Sequence, residues 1–327
     1  MTVETWPITF EDVLAARERL QPYIAPSPLL EHPLLNAAVG EGIRVFVKHE
    51  NHLPTGAFKA RNGMSALSAL LPEERQRGVV AATRGNHGLG IAWAGQRLGI
   101  PVTVCVPLGN NPEKNAAVCA YGATLVERGV DYDDSLAVAQ RLAREQGLRE
   151  VPSTNEPQVI AGAGTLALEM LEQQPDLEAL VFSVGGGSQA VGALTVVRRL
   201  RPDLPVYAVQ AESASAAHDS WHAGRPVTTT SALTFADGLA TRSTYVLTFE
   251  ALRAGLTDFV TVSEAQLADA LRVLVRTTHN LVEGAGAAGL AGLLKLRARL
   301  AGKRVGIVIS GGNIDQETLR RVLASEI

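Results

Sequence analysis

Lys59 lies in the segment Lys48-His49-Glu50-Asn51-His52-Leu53-Pro54-Thr55-Gly56-Ala57-Phe58-Lys59-Ala60-Arg61-Asn62-Gly63. A lysine becomes a nucleophile and a base when burial lowers its pKa enough to leave a neutral amine. Three glycine-rich turns point to a second chemistry, anion binding: Thr83-Arg84-Gly85-Asn86-His87-Gly88, Ser183-Val184-Gly185-Gly186-Gly187-Ser188, and Ser310-Gly311-Gly312-Asn313. Each follows a short apolar run, beyond a strand's carboxyl end, where helix N-termini aim their N–H groups. Glycine lets the backbone approach an anion closely or take positive φ, so three in a row opening a helix suit a phosphate. Each turn alone is also what a tight strand-to-helix connection looks like. The middle one further satisfies G-x-G-x-x-A over Gly185 to Ala190, with Glu212 roughly 20 residues on, which admits a nicotinamide or flavin oxidoreductase.

The elements that must present these residues alternate between strand and helix. Apolar, β-branched runs at 79–82, 102–106, 123–126, 180–184, 206–210, 259–262 and 305–310 predict strands buried on both faces, as in parallel sheets. Helical stretches between them, one ending at Leu98 and one over 132–146, fit crossover connections. Thr9 and Asp12 predict a capping-box start for a helix over 13–20. The fold class is α/β with largely parallel sheets.

The 327 residues exceed the usual single-core size and predict two packed domains. With 46% hydrophobic and 19% charged residues the chain is ordinary for a globular protein. Thirty Lys and Arg against 33 Asp and Glu leave a net charge of -3, and aromatics are 5%. Neither a basic stripe nor a stacking platform for nucleic acid is visible. No apolar run reaches membrane-spanning length, and MTVETWPITF lacks the basic and apolar regions of a secretory signal. Two cysteines, Cys105 and Cys119, make no disulfide framework. A cytoplasmic protein without nucleic-acid or membrane partners is expected.

The lysine segment resembles the K-x-E-x-x-x-P-T-G-S-F-K-x-R-G string of the fold-type II pyridoxal-phosphate enzymes, and is most similar to that of the serine/threonine dehydratase group. Further matches follow in order along nearly the whole chain. Thr83 to Gly88 resembles S-S-G-N-H-x, Val159 to Thr165 resembles V-I-A-G-Q-G-T, and the triple glycine resembles the group's phosphate loop. Thr234 to Gly238 resembles T-I-A-D-G, Val282 to Gly286 resembles V-E-P-A-G, and Ser310 to Asn313 matches S-G-G-N. The resemblance implies two interleaved, open twisted sheets of the tryptophan synthase β-like kind. It implies a large cofactor-binding domain of residues 1–51 plus 157–327, a small domain of residues 52–156, and a homodimer. The cofactor would be pyridoxal 5'-phosphate and the partner a small amino-acid substrate.

On that resemblance Lys59 would form the Schiff base with the cofactor and, once freed by substrate, remove the α-proton. Phe58 would pack near the cofactor, and Gly185, Gly186, Gly187 and Ser188 would donate N–H groups to its phosphate. Asn86 would meet the pyridine 3-hydroxyl, Ser310 the pyridine nitrogen, and Glu283 would belong to the same cofactor-binding set. Thr83, Arg84, Gly85, Asn86 and His87 would hold the substrate α-carboxylate. A serine at the ring nitrogen makes a weaker electron sink than an aspartate, which favours elimination over transamination or racemisation. The implied reaction is dehydration and deamination of a β-hydroxy amino acid such as L-threonine or L-serine to a 2-oxo acid and ammonia. Two such domains account for the chain length, leaving no amino-acid-sensing domain to expect.

Several positions depart from the pattern. Arg84 replaces the usual serine, which in racemases is the second-face acid/base; arginine stays protonated, so racemisation is not expected. It either reads a distal anionic group or reshapes the pocket, as a catalytic-site residue, or turns outward to a surface carboxylate. Diaminopropionate ammonia-lyases carry a similar T-D-G-N-H-G loop, so 3-hydroxyaspartate, phenylserine and diaminopropionate stay open as substrates. Ala57 replaces a serine. Glu212 and His218 lie where racemase-like members hold a divalent metal, but a histidine in place of aspartate suits hard cations poorly, and no metal is expected. Cys105 and Cys119 read as core residues; His32, His49, His52, His222 and His279 show no ligand or triad spacing. Synthases performing β-replacement read S-x-K-D-R and T-S-G-N-T-G, whereas Ala60-Arg61 and Asn86-His87 side with the eliminating enzymes. A cofactor-binding protein silenced by Arg84 is the remaining alternative.

Overall fold

A computed structural model describes residues 6–327, so the first five residues of the segment read for a leader lie outside it. Ten strands are present among the described residues: β1 (Leu29–Glu31), β2 (Arg44–His49), β3 (Val79–Ala82), β4 (Val102–Val106), β5 (Thr124–Glu127), β6 (Arg149–Glu150), β7 (Ala179–Ser183), β8 (Val206–Ala211), β9 (Asp258–Val262) and β10 (Arg304–Ile309). They form a six-stranded sheet ordered β1-β2-β10-β7-β8-β9 and a four-stranded sheet ordered β5-β4-β3-β6. Only β1 runs antiparallel to its neighbour. The chain leaves the first sheet after β2, builds the second completely and returns at β7, so the sheets interleave in sequence.

The apolar runs become parallel strands for the expected reason: β3, β7 and β8 are enclosed on both faces. The strand over Thr124–Glu127 differs, lying half-exposed at a sheet edge with polar ends. β2 escapes the hydrophobic pattern because it ends in Lys48 and His49, which are nonetheless fully buried. At the first helix the Thr9 hydroxyl accepts from the Asp12 N–H at 3.1 Å while the Asp12 carboxylate accepts from the Thr9 N–H at 2.8 Å. Both arms of the capping box form, so the helix starts at Phe10, not Val13, because the residue closing the box already belongs to the first turn. Among the described residues no helix is long and apolar enough to cross a membrane.

Four helices begin with or contain the motif segments: Lys59–Ser68, Asn86–Leu98, Pro157–Gln173 and Ser188–Leu200. They pack in a row, backbone against backbone. A Cβ on Gly90 would stand 2.2 Å from the Lys59 carbonyl oxygen, and one on Gly63 would stand 2.3 Å from the Gly90 carbonyl oxygen. Further along the row, a Cβ on Gly162 would meet the Arg61 carbonyl oxygen at 2.6 Å, and one on Gly192 the Gly164 nitrogen at 2.5 Å. No side chain fits at these crossings. Gly90→Ala should therefore force the first two helices apart and cost about 1–3 kcal/mol of unfolding free energy in denaturant titration; an unchanged midpoint would show that the crossing gives way freely.

Candidate active site

The segment before Lys59 is stitched to the turn after β10. Ala57 bridges Gly311, the Phe58 N–H donates to the Ser310 carbonyl at 2.9 Å, and the Gly312 N–H donates to the Gly56 carbonyl at 2.9 Å. Gly56 turns the chain at φ +67°, which admits Lys59 as the first residue of its helix. Between the two sheets lies a cavity of about 580 Å³, and every residue nominated from sequence, from Phe58 to Ser310, lines it. Parallel-sheet geometry explains the convergence, since all three glycine-rich turns lie beyond strand carboxyl ends.

Lys59 has no carboxylate partner among the described residues. Its Nζ donates to the Ser153 carbonyl at 3.3 Å and lies 4.9 Å from the centre of the Phe58 ring. Part of the side chain faces the cavity, yet the protein around it strips water from the ammonium and pushes its pKa down to about 8. The amine is therefore readily neutral.

Across the cavity the Gly185–Ser188 turn is open because Gly185, Gly186 and Gly187 carry no side chains. A Cβ on Gly185 would meet the Gly238 carbonyl oxygen at 2.2 Å, and one on Gly186 would meet Thr154 Oγ1 at 2.0 Å. Gly187 sits at φ +98°, and no side chain caps the helix that follows. Its first amide N–H groups are thus left to an outside anion, which a phosphate monoester fits in charge and size.

Asn86 is held from both sides. Its Nδ2 donates to Glu283 Oε1 at 2.7 Å, and its Oδ1 accepts from Asn313 Nδ2 at 2.7 Å. One amide hydrogen remains for a ligand. Burial pushes the Glu283 carboxyl up to about 7, with Lys114 and the Asn86 hydrogen bond opposing the rise and Asp237 adding to it. Glu283 also explains Gly311, where a Cβ would fall 2.3 Å from Oε1. Ser310 is buried at the cavity wall.

In the Thr83–His87 turn the Thr83 hydroxyl accepts from the Gly85 N–H at 2.9 Å and the Gly88 N–H at 3.4 Å, so it shapes the loop. The Asn86 and His87 amides open their helix without a side-chain cap. Buried His87 donates from Nε2 to the Val151 carbonyl at 2.8 Å, and its Nδ1 has no partner among the described residues. Burial, then Lys59, pushes its pKa down to about 3, so the ring is neutral.

Arg84 is exposed, lines the cavity and makes no ion pair among the described residues. Besides Lys59, the other long cations of the lining are committed: Lys114 to Asp237 at 2.5 Å, and Arg242 to Asp133 and, at 3.9 Å, Asp131. These residues, with Ser153, Thr154, Tyr132 and Tyr245, were not nominated from sequence. They are scattered over several stretches with no local motif, except Asp237 in the T-x-A-D-G match.

Other expectations change. Cys105 is buried in β4, but Cys119 is exposed because its helix turns that face outward. Glu212 approaches Lys295 at 3.9 Å and His218 pairs with Asp219 at 2.8 Å; neither lines the cavity, where a dinucleotide reading would need Glu212. His32 and His49, unremarkable in spacing, meet Nε2 to Nε2 at 3.0 Å, and His49 stacks on His52.

A family model described as "Pyridoxal-phosphate dependent enzyme" matches residues 20–311. The L-threo-3-hydroxyaspartate ammonia-lyase of Pseudomonas sp is 36% identical over 96% of this chain and 98% of its own. The L-threonine ammonia-lyase of Thermotoga maritima is 36% identical over 97% of this chain and 78% of its own. The crystal structure of the T.th. threonine deaminase superposes with a TM-score of 0.89 at 37% identity, covering 94% of this chain and 99% of that one.

The Glu283 carboxyl yields a stability test. Its folded value of about 7 lies above the ordinary 4.5, so the native state keeps a proton that the unfolded chain releases. The stability this lends is complete below pH 4.5 and is lost as pH rises to about 7. Glu283→Gln should gain on the wild type across that window and hold a constant advantage above it in urea titrations. A pH-independent difference would show that folding leaves the Glu283 pKa unshifted.

Proposed function

The chain belongs to the pyridoxal-phosphate dependent enzyme family, and within it we propose an ammonia-lyase that removes the elements of water from a β-hydroxy amino acid such as threonine or serine. The α-hydrogen and β-hydroxyl leave together as water, and hydrolysis of the resulting enamine gives a 2-oxo acid and ammonia with no net redox change. The observation that carries this reading is Lys59: an unpaired, desolvated amine placed between a glycine cradle and the neutral Ser310.

Bound pyridoxal phosphate supplies the electron sink for the bond broken at the substrate Cα. The amides of the Gly185–Ser188 turn hold the phosphate at a helix N-terminus. Lys59 Nζ anchors the cofactor and takes the α-proton, a role open to an amine with pKa near neutrality. Asn86, oriented by Glu283 and Asn313, would offer its free N–H to the cofactor's ring hydroxyl. Ser310 would face the cofactor's ring nitrogen without the carboxylate that would hold a proton there, a setting that would favour elimination. The Asn86 and His87 amides would receive the α-carboxylate, and Phe58 would pack against the cofactor. Residues 52–156, which include the four-stranded sheet, serve as the small domain, and the enzyme acts as a homodimer in the cytoplasm.

Arg84 supports a second reading of the substrate. Apart from Lys59 itself, it is the one long cation of the lining without a carboxylate among the described residues, which suits a substrate bearing a distal anion such as 3-hydroxyaspartate.

Ammonia release should be compared for threonine, serine, 3-hydroxyaspartate and phenylserine, with diaminopropionate as the β-amino control. Lys59→Ala should lower kcat/KM by about 1,000-fold, and borohydride should fix the cofactor on Lys59 in the wild type. A colourless protein, or unchanged turnover by Lys59→Ala, would refute the assignment. Arg84→Ser should lose about 10- to 100-fold in kcat/KM for 3-hydroxyaspartate while sparing threonine; an unchanged ranking leaves Arg84 without a role in selection.

A further inference from the structure

Behind the cavity, on the far side of the Lys59 helix, two cations and two carboxylates are sealed from water. Lys48 and Glu50 are 0% exposed, Arg61 1% and Glu169 7%. Their formal charges cancel, and the hydrogen-bond accounting closes. Arg61 Nε donates to Glu50 Oε2 at 2.7 Å; Nη2 donates to Glu50 Oε1 at 2.9 Å and Glu169 Oε2 at 2.8 Å. Nη1 donates to Glu169 Oε1 at 2.6 Å and Thr165 Oγ1 at 3.1 Å. All five guanidinium hydrogens have acceptors. Lys48 Nζ donates to Glu169 Oε2 at 2.7 Å, the Ser27 carbonyl at 2.7 Å and Gln173 Oε1 at 2.9 Å.

Stability alone is a poor account of such a cluster. Well-packed apolar side chains usually stabilise a core as well as a buried ion network does. What a guanidinium clamped by two carboxylates adds is direction, because its planar fork accepts them in one orientation. Arg61 lies two residues beyond Lys59, and residues two apart on a helix project to nearly opposite faces. With Arg61 held on one side, the helix cannot turn about its axis without swinging Lys59 away from its place on the other.

The clamp also has two informative ends. Glu50 directly follows β2, which pairs in register with β10 up to His49 against Ile309, next to Ser310. Glu169 belongs to the Pro157–Gln173 helix, which packs through Gly164 and Gly192 on the helix that opens at the glycine cradle. We propose that Arg61 is a positioning residue whose two-carboxylate clamp sets the rotation of the Lys59 helix and so places Nζ relative to both Ser310 and the phosphate cradle. This rests on the reading of Lys59 as the cofactor-bearing lysine.

Arg61→Lys in the full-length protein is the sharpest test, since it keeps the charge and loses the fork. Three quantities are read: kcat and KM of the cofactor-loaded enzyme, the rate at which cofactor-free protein captures pyridoxal 5'-phosphate, and thermal melting. Misplacement of Nζ should lower kcat by about 100-fold with little change in KM, and slow capture in parallel. Glu50→Gln, which removes one arm, should show a smaller loss of the same kind and serves if Arg61→Lys fails to fold. Lowered melting temperatures with wild-type kcat per loaded site and wild-type capture rates would overturn the clamp. Borohydride labelling separates the two layers. A wild-type label on another lysine removes the Lys59 reading and this proposal together, whereas a label on Lys59 with unaltered variants overturns the clamp alone.

Discussion

The site depends on helices that touch through their backbones. Helix axes ordinarily stand about 8–10 Å apart because side chains separate them. Here the Gly90 backbone lies against the Lys59 carbonyl, Gly162 against the Arg61 carbonyl, and Gly192 against Gly164. The row joins, in order, the helix that begins at Asn86, the one that begins at Lys59, the bridging helix, and the one that begins at Ser188. Three of these four N-termini form the cavity wall. Glycine in a helix costs about 1 kcal/mol relative to alanine, and close atomic contact along the crossings offsets it. Helix termini that approach this closely can surround one small ligand with amides and an amine.

Burial produces opposite electrostatic results on the two faces of the Lys59 helix. Toward the cavity, Lys59 has no counter-ion and Glu283 has mainly a carboxamide, so desolvation drives both toward their neutral forms. Behind the helix burial would also depress Arg61, but Glu50 and Glu169 more than compensate and hold its pKa above the ordinary value. Counter-ions decide the difference. An amine that must lose its charge stands two residues from a cation that must keep it, and the helix screens one environment from the other.

Local features were legible in the chain itself. The alternating runs, the helix over Tyr132–Gln146 and the glycine turns follow from short-range rules of side-chain period and backbone freedom. The resemblance added what those rules lack, a reason to single out Lys59 among the lysines and to join three turns into one site. Less legible were β2, whose buried Lys48 is neutralised by the distant Glu169, and the pairing of Lys114 with Asp237 across 123 positions.

The sequence by itself determined the class of fold, the family chemistry and the candidate residues, because motif, period and turn residues act within a few positions of one another. Only the tertiary structure decided their states. It left Arg84 without a carboxylate among the described residues, tied Asn86 between Glu283 and Asn313, and enclosed Arg61 between two carboxylates. The reason is physical: a charge or hydrogen bond is set by which groups share a desolvated space, and here those groups come from segments tens to hundreds of residues apart.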